Sequence, residues 1–244
     1  MTGDQSAPVL RRAFRFLGPL RPHVLEVTRR AGVPRYSWLL DRLNWELPLA
    51  GTLHAFPAAL ILPSREDLYD HVNLRCSRDG ESQAIDYLEF GVAEGGTFAH
   101  WLELNTNEHS RFFGFDSFEG LPEDWNLRQG SGGFSTGGKP PQTSDPRAQF
   151  IVGWFQHTLA DFLASHTPAS QLVIHIDCDL YSSTLYCLTE LDRLIVPGTV
   201  VMFDEFYDPL HEYRALVNYC AAYMREFDVI ATTQGAVQAA VVFR

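Results

Sequence analysis

The stretch AIDYLEFGVAEGGTF, Ala84 to Phe98, decides how this chain is read. Ile85, Tyr87, Leu88 and Phe90 form an apolar run of strand length, partly β-branched and aromatic. Gly91, Gly95 and Gly96 follow, and Thr97-Phe98-Ala99-His100-Trp101-Leu102 reads as the first turns of a helix. Strand, glycine turn and helix N-terminus together bring backbone close to a ligand and turn free N–H groups toward it. A second apolar run, Phe112 to Phe115, ends in Asp116. An acid at that point of an α/β sheet can hold a ribose diol.

The spacing of the turn selects among nucleotides. A dinucleotide site uses G-x-G-x-x-G, so that a pyrophosphate rests on the helix end. Here the turn is Gly91-Val92-Ala93-Glu94-Gly95-Gly96, preceded by Glu89. Two carboxylates repel a pyrophosphate but suit a cationic sulfonium and an amino group, which favours S-adenosylmethionine (SAM) over NAD. The plain alternative is a glycine turn that only lets strand meet helix. Asp116 weighs against it.

From Ala84 onward strand and helix patterns alternate, which predicts an α/β sheet of Rossmann-like type. The apolar runs predict seven strands, and the last two, 227–233 and 236–243, form a hairpin around Gln234-Gly235. The sheet is then parallel except for one strand. Helices are expected over 156–166, 181–194 and 210–226, and another begins at Ser64, with Ser64 as its cap and Leu68 and Val72 on one face. Residues 64–244 read as the main domain. Residues 1–63 read as an extension, with amphipathic helical pieces broken at Pro19, Pro22 and Pro34, then an apolar, proline-punctuated cover over 43–63. The segment Asn126 to Pro146 is rich in Gly, Ser and Pro, forbids a regular element, and is long for a loop. Such insertions serve as lids or as idle surface loops.

Charge and composition narrow the partners. The 244 residues carry a net charge of −11, split as +5 over residues 1–42 and −16 over the rest. An acidic main domain excludes a nucleic-acid substrate, because phosphates are repelled. The Arg-rich start suits contact with the acidic domain of a second subunit, or simple solvation. Cys76, Cys178, Cys187 and Cys220 show no C-x-x-C pair and read as buried reduced thiols of a cytoplasmic protein. The twin arginines at Arg11 lack a following apolar core, and Pro48, His54 and Pro57 spoil a membrane span over 47–62.

Acids recur where strands end. Asp177 and Asp179 follow the fourth strand in HIDCD, and Asp204 and Glu205 follow the fifth in FDEF. Carboxylates gathered at one rim repel unless a cation joins them, and hard oxygen donors select Mg²⁺, Mn²⁺ or Ca²⁺. Helix capping is the competing account, and it fits Asp179 best. HIDCD also matches the D-x-D of metal-dependent glycosyltransferases, a reading that needs neither the glycine turn nor the second acid pair. A dehydrogenase and a non-catalytic binding domain are the remaining alternatives. His175 reads as a core histidine. Tyr181 shapes the pocket or simply packs, and His211 lies within reach of the cleft.

Six blocks in order, YLEFGVAEGGTF, FFGFDSFEGLPEDW, FSTGGKPP, VGWFQHTL, HIDCDLYSST and VPGTVVMFDEF, resemble the macrocin O-methyltransferase family. These are class I SAM-dependent, Mg²⁺-dependent enzymes that methylate sugar hydroxyls of antibiotics. The resemblance covers residues 64–244. It implies that Glu89, Gly91, Glu94, Gly95 and Thr97 hold the methionine part of SAM, that Asp116 holds the ribose with Ser117 and Phe118 beside the adenosine, and that Gly153 and Trp154 line the adenine. It implies Mg²⁺ or Mn²⁺ on Asp177 and on the pair Asp204-Glu205, with Asp179 as general base. The family has Asp-Asp where this chain has Asp204-Glu205. The resemblance further implies a sugar or glycosylated acceptor and a homodimer or larger homo-oligomer joined through N-terminal helices.

Overall fold

The structure is a computed structural model and describes residue 56 and residues 59–244 other than 79, 127, 128 and 209. The helical pieces expected in residues 1–42, most of the 43–63 cover, and the subunit contact assigned to them lie outside the described residues.

Ser64 opens the first helix as expected. Its hydroxyl accepts the Asp67 N–H at 3.1 Å, and α1 runs over Arg65–Arg75 with Leu68, Tyr69 and Val72 buried. Ahead of it Leu60–Leu62 forms a short strand, β1, and two-residue strands β2 (Ser77–Arg78) and β3 (Glu81–Ser82) pair with each other. Then the alternation begins: β4 (Ile85–Phe90), α2 (Gly96–Leu104), β5 (Arg111–Asp116), β6 (Ala148–Val152), α3 (Phe155–Ser165), β7 (Gln171–Ile176), α4 (Tyr181–Leu191), β8 (Val200–Phe203), α5 (Glu212–Tyr223), β9 (Phe227–Thr233) and β10 (Ala239–Phe243). The helices α4 and α5 are shorter than the apolar pattern suggests. Met224, in the left-handed region at φ 52°, ends the latter.

The strands join in the order β1-β9-β10-β8-β7-β4-β5-β6. Every neighbouring pair is parallel except the two made by β10, which is antiparallel to both β8 and β9. The seven expected strands are all present. The sheet has eight because Leu60–Leu62, read as part of an apolar cover, pairs in parallel with β9.

Alternation along the strands sorts two cores. Leu88, Phe90, Ile174, Ile176, Val201 and Phe203 face α3, α4 and α5, where Leu159, Leu188 and Leu216 meet them. Ile85, Tyr87, Val173, Val200 and Met202 face the other way, toward Leu68, Val72, Phe98 and Trp101 of α1 and α2. Tyr87 stacks on Trp101 with ring centroids 4.8 Å apart, a pairing that adds about 1 kcal/mol to the burial of both rings. All four cysteines are buried and unpaired.

The two rims of the sheet treat acids in opposite ways. At the amino ends, Asp86 is fully buried yet fully met: Arg111 donates two hydrogen bonds, at 2.6 and 2.7 Å, and the Ala169 N–H a third at 2.7 Å. At the carboxyl ends, where strand order reverses between β4 and β7 and α/β sheets take their ligands, the acids are gathered without such a partner.

Candidate active site

The turn after β4 is shaped by contact as much as by ligand access. Gly91 lies at φ +94°, and a Cβ there would sit 1.7 Å from the backbone oxygen of Asp177. The glycine is required because the turn after β4 and the acid loop after β7 touch at this point. Gly95, at φ +83°, is the N-cap of α2 and supplies no side chain, so the first-turn N–H groups stay turned to the cleft. A Cβ on Gly95 would meet Pro141 at 2.6 Å, which places the 126–146 insertion directly over the turn.

Asp116 has a structural task. Its Oδ2 accepts the N–H groups of Val92 (2.9 Å) and Ala93 (2.8 Å), and its Oδ1 accepts that of Phe118 (2.7 Å). The carboxylate therefore fixes the glycine turn from the neighbouring strand. A carboxylate offers about four lone-pair sites, so one remains for a hydroxyl. Glu89 is 1% exposed and accepts the Tyr87 hydroxyl at 2.5 Å, and that hydroxyl lies 3.1 Å from His175 Nδ1. The histidine is buried, as expected, but within a polar relay rather than an apolar core.

These residues line one cleft of about 500 Å³. It brings together Glu89, Gly91, Glu94, Gly95, Thr97, Asp116, Ser117, Gly153, Trp154, Asp177, Asp179, Asp204 and Glu205. Of the residues expected at the cofactor, Phe118 alone does not line it. At φ +58° its side chain turns into the core against Phe150, while its carbonyl accepts the N–H groups of Thr136 and Gly138 from the insertion. Tyr181 also turns away: its hydroxyl accepts from Asn218 and its ring underlies Arg214, both on α5. His211 is occupied by the backbone, its Nδ1 accepting the Tyr181 N–H at 3.3 Å.

Among the described residues the acids and His175 form two overlapping groups. One nitrogen of His175 and one oxygen each of Asp177 and Asp204 lie within 4.8 Å of one another, and so do oxygens of Asp177, Asp179 and Glu205. Asp204 Oδ1 and Glu205 Oε2 are buried with no hydrogen-bond partner. The nearest cationic group among the recorded ion pairs is Arg65, whose guanidinium stands 3.9 Å from Asp204 Oδ2. Asp177 is common to both groups, and the two unpartnered oxygens belong one to each, Asp204 to the first and Glu205 to the second; buried carboxylate oxygens of this kind call for a partner.

Sequence reasoning missed two members of this neighbourhood. Arg65 reads simply as the first residue of α1. Glu212, fully buried at the start of α5, stands in no motif that would single it out.

Crowding raises the proton affinity of the cluster. Burial, then Asp204 and Asp116, pushes Asp179 up to about 7. Burial also lifts Asp177, helped by Asp204 and Glu212, and Glu205, helped by Glu212 and Asp177, well above the usual carboxylate range. The folded state thus holds protons that the unfolded chain, titrating near pH ~4, releases. The sign follows: metal-free protein should lose stability as pH rises from about 4 through about 7, and should melt higher near pH 5 than near pH 8. Thermal melts in EDTA measure this. A midpoint that climbs steadily over that interval contradicts the crowding.

Comparison with known proteins agrees with the fold. Residues 88–206 match the methyltransferase domain family. A curated relative from Streptomyces olivaceus, named 8-demethyl-8-(2,3-dimethoxy-alpha-L-rhamnosyl)-tetracenomycin-C 4'-O-methyltransferase, is 28% identical, with 53% of this chain and 58% of that protein aligned. The match therefore spans less than two thirds of the relative's length. Two crystallographic relatives share the fold: CalS11, a calicheamicin methyltransferase, at TM-score 0.55 and 22% identity over 72% of this chain and 77% of its own, and the O-methyltransferase NovP, at TM-score 0.55 and 19% identity over 84% and 98%. No helix among the described residues is long and apolar enough to cross a membrane. The sheet closed by an antiparallel β10 and the glycine turn at the reversal of strand order agree with the methyltransferase domain model that residues 88–206 match.

Proposed function

We propose that this protein transfers a methyl group from SAM to a hydroxyl of a sugar or glycosylated small molecule. On this reading Asp177, Asp204 and Glu205 hold a divalent cation, Mg²⁺ or Mn²⁺, and Asp179 takes the proton. The observation that carries it is the convergence of a methyltransferase cofactor turn and a set of unpartnered buried carboxylates on one cleft, in contact through Gly91 and Asp177. The sugar acceptor is supported by the rhamnosyl tetracenomycin substrate in the name of the curated relative.

The chain's own residues account for most of the work. The open N-terminus of α2 suits the carboxylate of the methionine part, and Glu89 and Glu94 suit its amino group and sulfonium. The remaining lone pair of Asp116 suits a ribose hydroxyl. A divalent cation on the acid set supplies Lewis acidity that lowers the pKa of an acceptor hydroxyl. Asp179, raised to about 7, is matched to removing that proton near neutral pH. Alignment of oxygen, methyl carbon and sulfur then falls to the walls of the cleft. The 126–146 insertion would close over that alignment. Hydrogen exchange there that is equally fast with and without S-adenosylhomocysteine would remove the lid.

The direct test is turnover of SAM against a panel of nucleotide sugars and glycosylated aromatic compounds, in chelator and after adding back Mg²⁺. Methylation of no sugar hydroxyl, with catechols methylated instead, would redirect the acceptor. For the cofactor, Asp116→Ala should weaken S-adenosylhomocysteine by more than one ribose contact. The turn held by Val92 and Ala93 loosens as well, so a loss of about 2–3 kcal/mol is expected by calorimetry. Unchanged affinity would move the ribose elsewhere.

A further inference from the structure

Asp177, Asp179, Asp204, Glu205 and Glu212 gather at the carboxyl rim, and the first four line the cleft. Glu212 does not. It is fully buried, and both of its oxygens are spent on backbone: Oε1 accepts the Cys178 N–H at 3.3 Å and Oε2 accepts the Glu205 N–H at 3.0 Å. Cys178 sits between Asp177 and Asp179 on the loop after β7. Glu205 follows Asp204 on the loop after β8. One side chain therefore spans the two loops that carry the proposed metal and base residues.

The placement is costly if Glu212 is only a helix-start acid. A buried carboxylate near four others adds repulsion, and an apolar residue would fill the space without it. What a shorter or apolar side chain cannot do is accept two N–H groups from two different loops at once. Those loops need a fixed spacing. Asp179 stands in the left-handed region at φ +59°. Backbone bonds hold the residues on either side, from the N–H groups of Asp177 to Phe90, Asp204 to Ile176 and Phe206 to Val237, while the Cys178 and Glu205 N–H groups between them are held by Glu212. His211, one residue earlier, accepts the Tyr181 N–H and extends the same fastening to the start of α4.

We infer that Glu212 is a positioning residue: it sets the distance between the Asp177–Asp179 loop and the Asp204–Glu205 loop, and so the geometry of the cation site, without touching cation, cofactor or acceptor. The inference rests on the metal reading for its effect on function, but the fastening itself exists without metal.

The experiment compares Glu212→Asp and Glu212→Gln with the wild-type protein, using Mn²⁺ calorimetry in the presence of S-adenosylhomocysteine and amide hydrogen exchange in EDTA. Aspartate keeps the charge but is one methylene short of spanning both amides. Glutamine keeps the length and one acceptor oxygen but loses the charge. Positioning predicts that Glu212→Asp weakens Mn²⁺ on the order of tenfold, as the loss of one charge-assisted hydrogen bond does. It also predicts faster exchange at Cys178 and Glu205, with exchange at Leu88 in β4 and S-adenosylhomocysteine affinity close to wild type. Wild-type Mn²⁺ affinity in Glu212→Asp with weakened binding only in Glu212→Gln would show that charge, not position, matters and would overturn the inference. So would unchanged protection of both amides in both variants. A wild-type protein that binds no Mn²⁺ overturns the metal reading instead, and the amide exchange still decides whether Glu212 fastens the loops.

Discussion

Asp177→Ala is expected to cut methyl transfer on the order of a thousandfold or more while leaving the fold at least as stable as before. Asp177 belongs to both groups of converging donor atoms, so its loss weakens every arrangement the site can offer a cation. The Lewis-acid contribution at stake is several kcal/mol, and each ~1.4 kcal/mol is tenfold in rate. Stability should move the other way, because Asp177 is raised by burial and then by repulsion from Asp204, Glu212 and Asp179. Removing it relieves that repulsion, so in EDTA the variant should melt at or above the wild-type temperature. The companion variant is Asp179→Asn. As a base it should keep Mn²⁺ affinity and lose about 10²–10⁴ in turnover. If it loses Mn²⁺ as well, then the Asp177, Asp179, Glu205 group is the ligand set and the proton goes elsewhere. Full turnover in EDTA, or an active Asp177→Ala enzyme, would leave a SAM-dependent domain that needs no metal.

Gly91→Ala should be the most damaging single methyl at the carboxyl ends of the strands. The added carbon would lie 1.7 Å from one backbone atom of Asp177 and 2.7 Å from the next, and backbone cannot give as a side-chain tip can. Its φ of +94° adds strain for any L side chain. Together these should cost on the order of 3 kcal/mol of stability, and what remains folded should bind both S-adenosylhomocysteine and Mn²⁺ more weakly, since the methyl wedges the two loops apart. Gly137→Ala is the control. Its φ is +71° but nothing lies within 4 Å of the added carbon, so it should lose only the left-handed penalty of about 1–2 kcal/mol. Urea unfolding of the pair measures the difference. Equal losses would show that φ alone, and not contact with Asp177, fixes the glycine.

Much of this was readable in the chain because the signals were local. Alternation of apolar residues placed seven strands, and Ser64 with Asp67 placed a helix start to the residue. The acids that gather in the cleft could be named because each ends or follows a strand of one parallel sheet, and topology alone brings such ends together. Features that depend on pairing or direction were not readable. Leu60–Leu62 is too short to show a period, and only its partner β9 makes it a strand. The family resemblance implied Phe118 at the cofactor, but at a positive φ its side chain packs against Phe150, and nothing in the residue's identity announces that. Asp116 was read for a ligand when three of its contacts are to backbone on its own and the neighbouring turn. Glu212 stands in no motif, and only the two amides it reaches, 34 and seven residues away in sequence, mark it out.

The place of β10 has a consequence for how the protein comes into being. It follows β8 and β9 in the chain yet lies between them, bonded to both. A ribosome delivers β8 first, and that strand must wait with an open flank while α5 and β9 are made. The bond from the Phe206 N–H to the Val237 carbonyl, just beyond Asp204 and Glu205, can form only after that wait. Until residues 239–243 insert, the nascent chain presents two adhesive strand edges and an unset acid loop, so it is in this interval that aggregation competes with assembly.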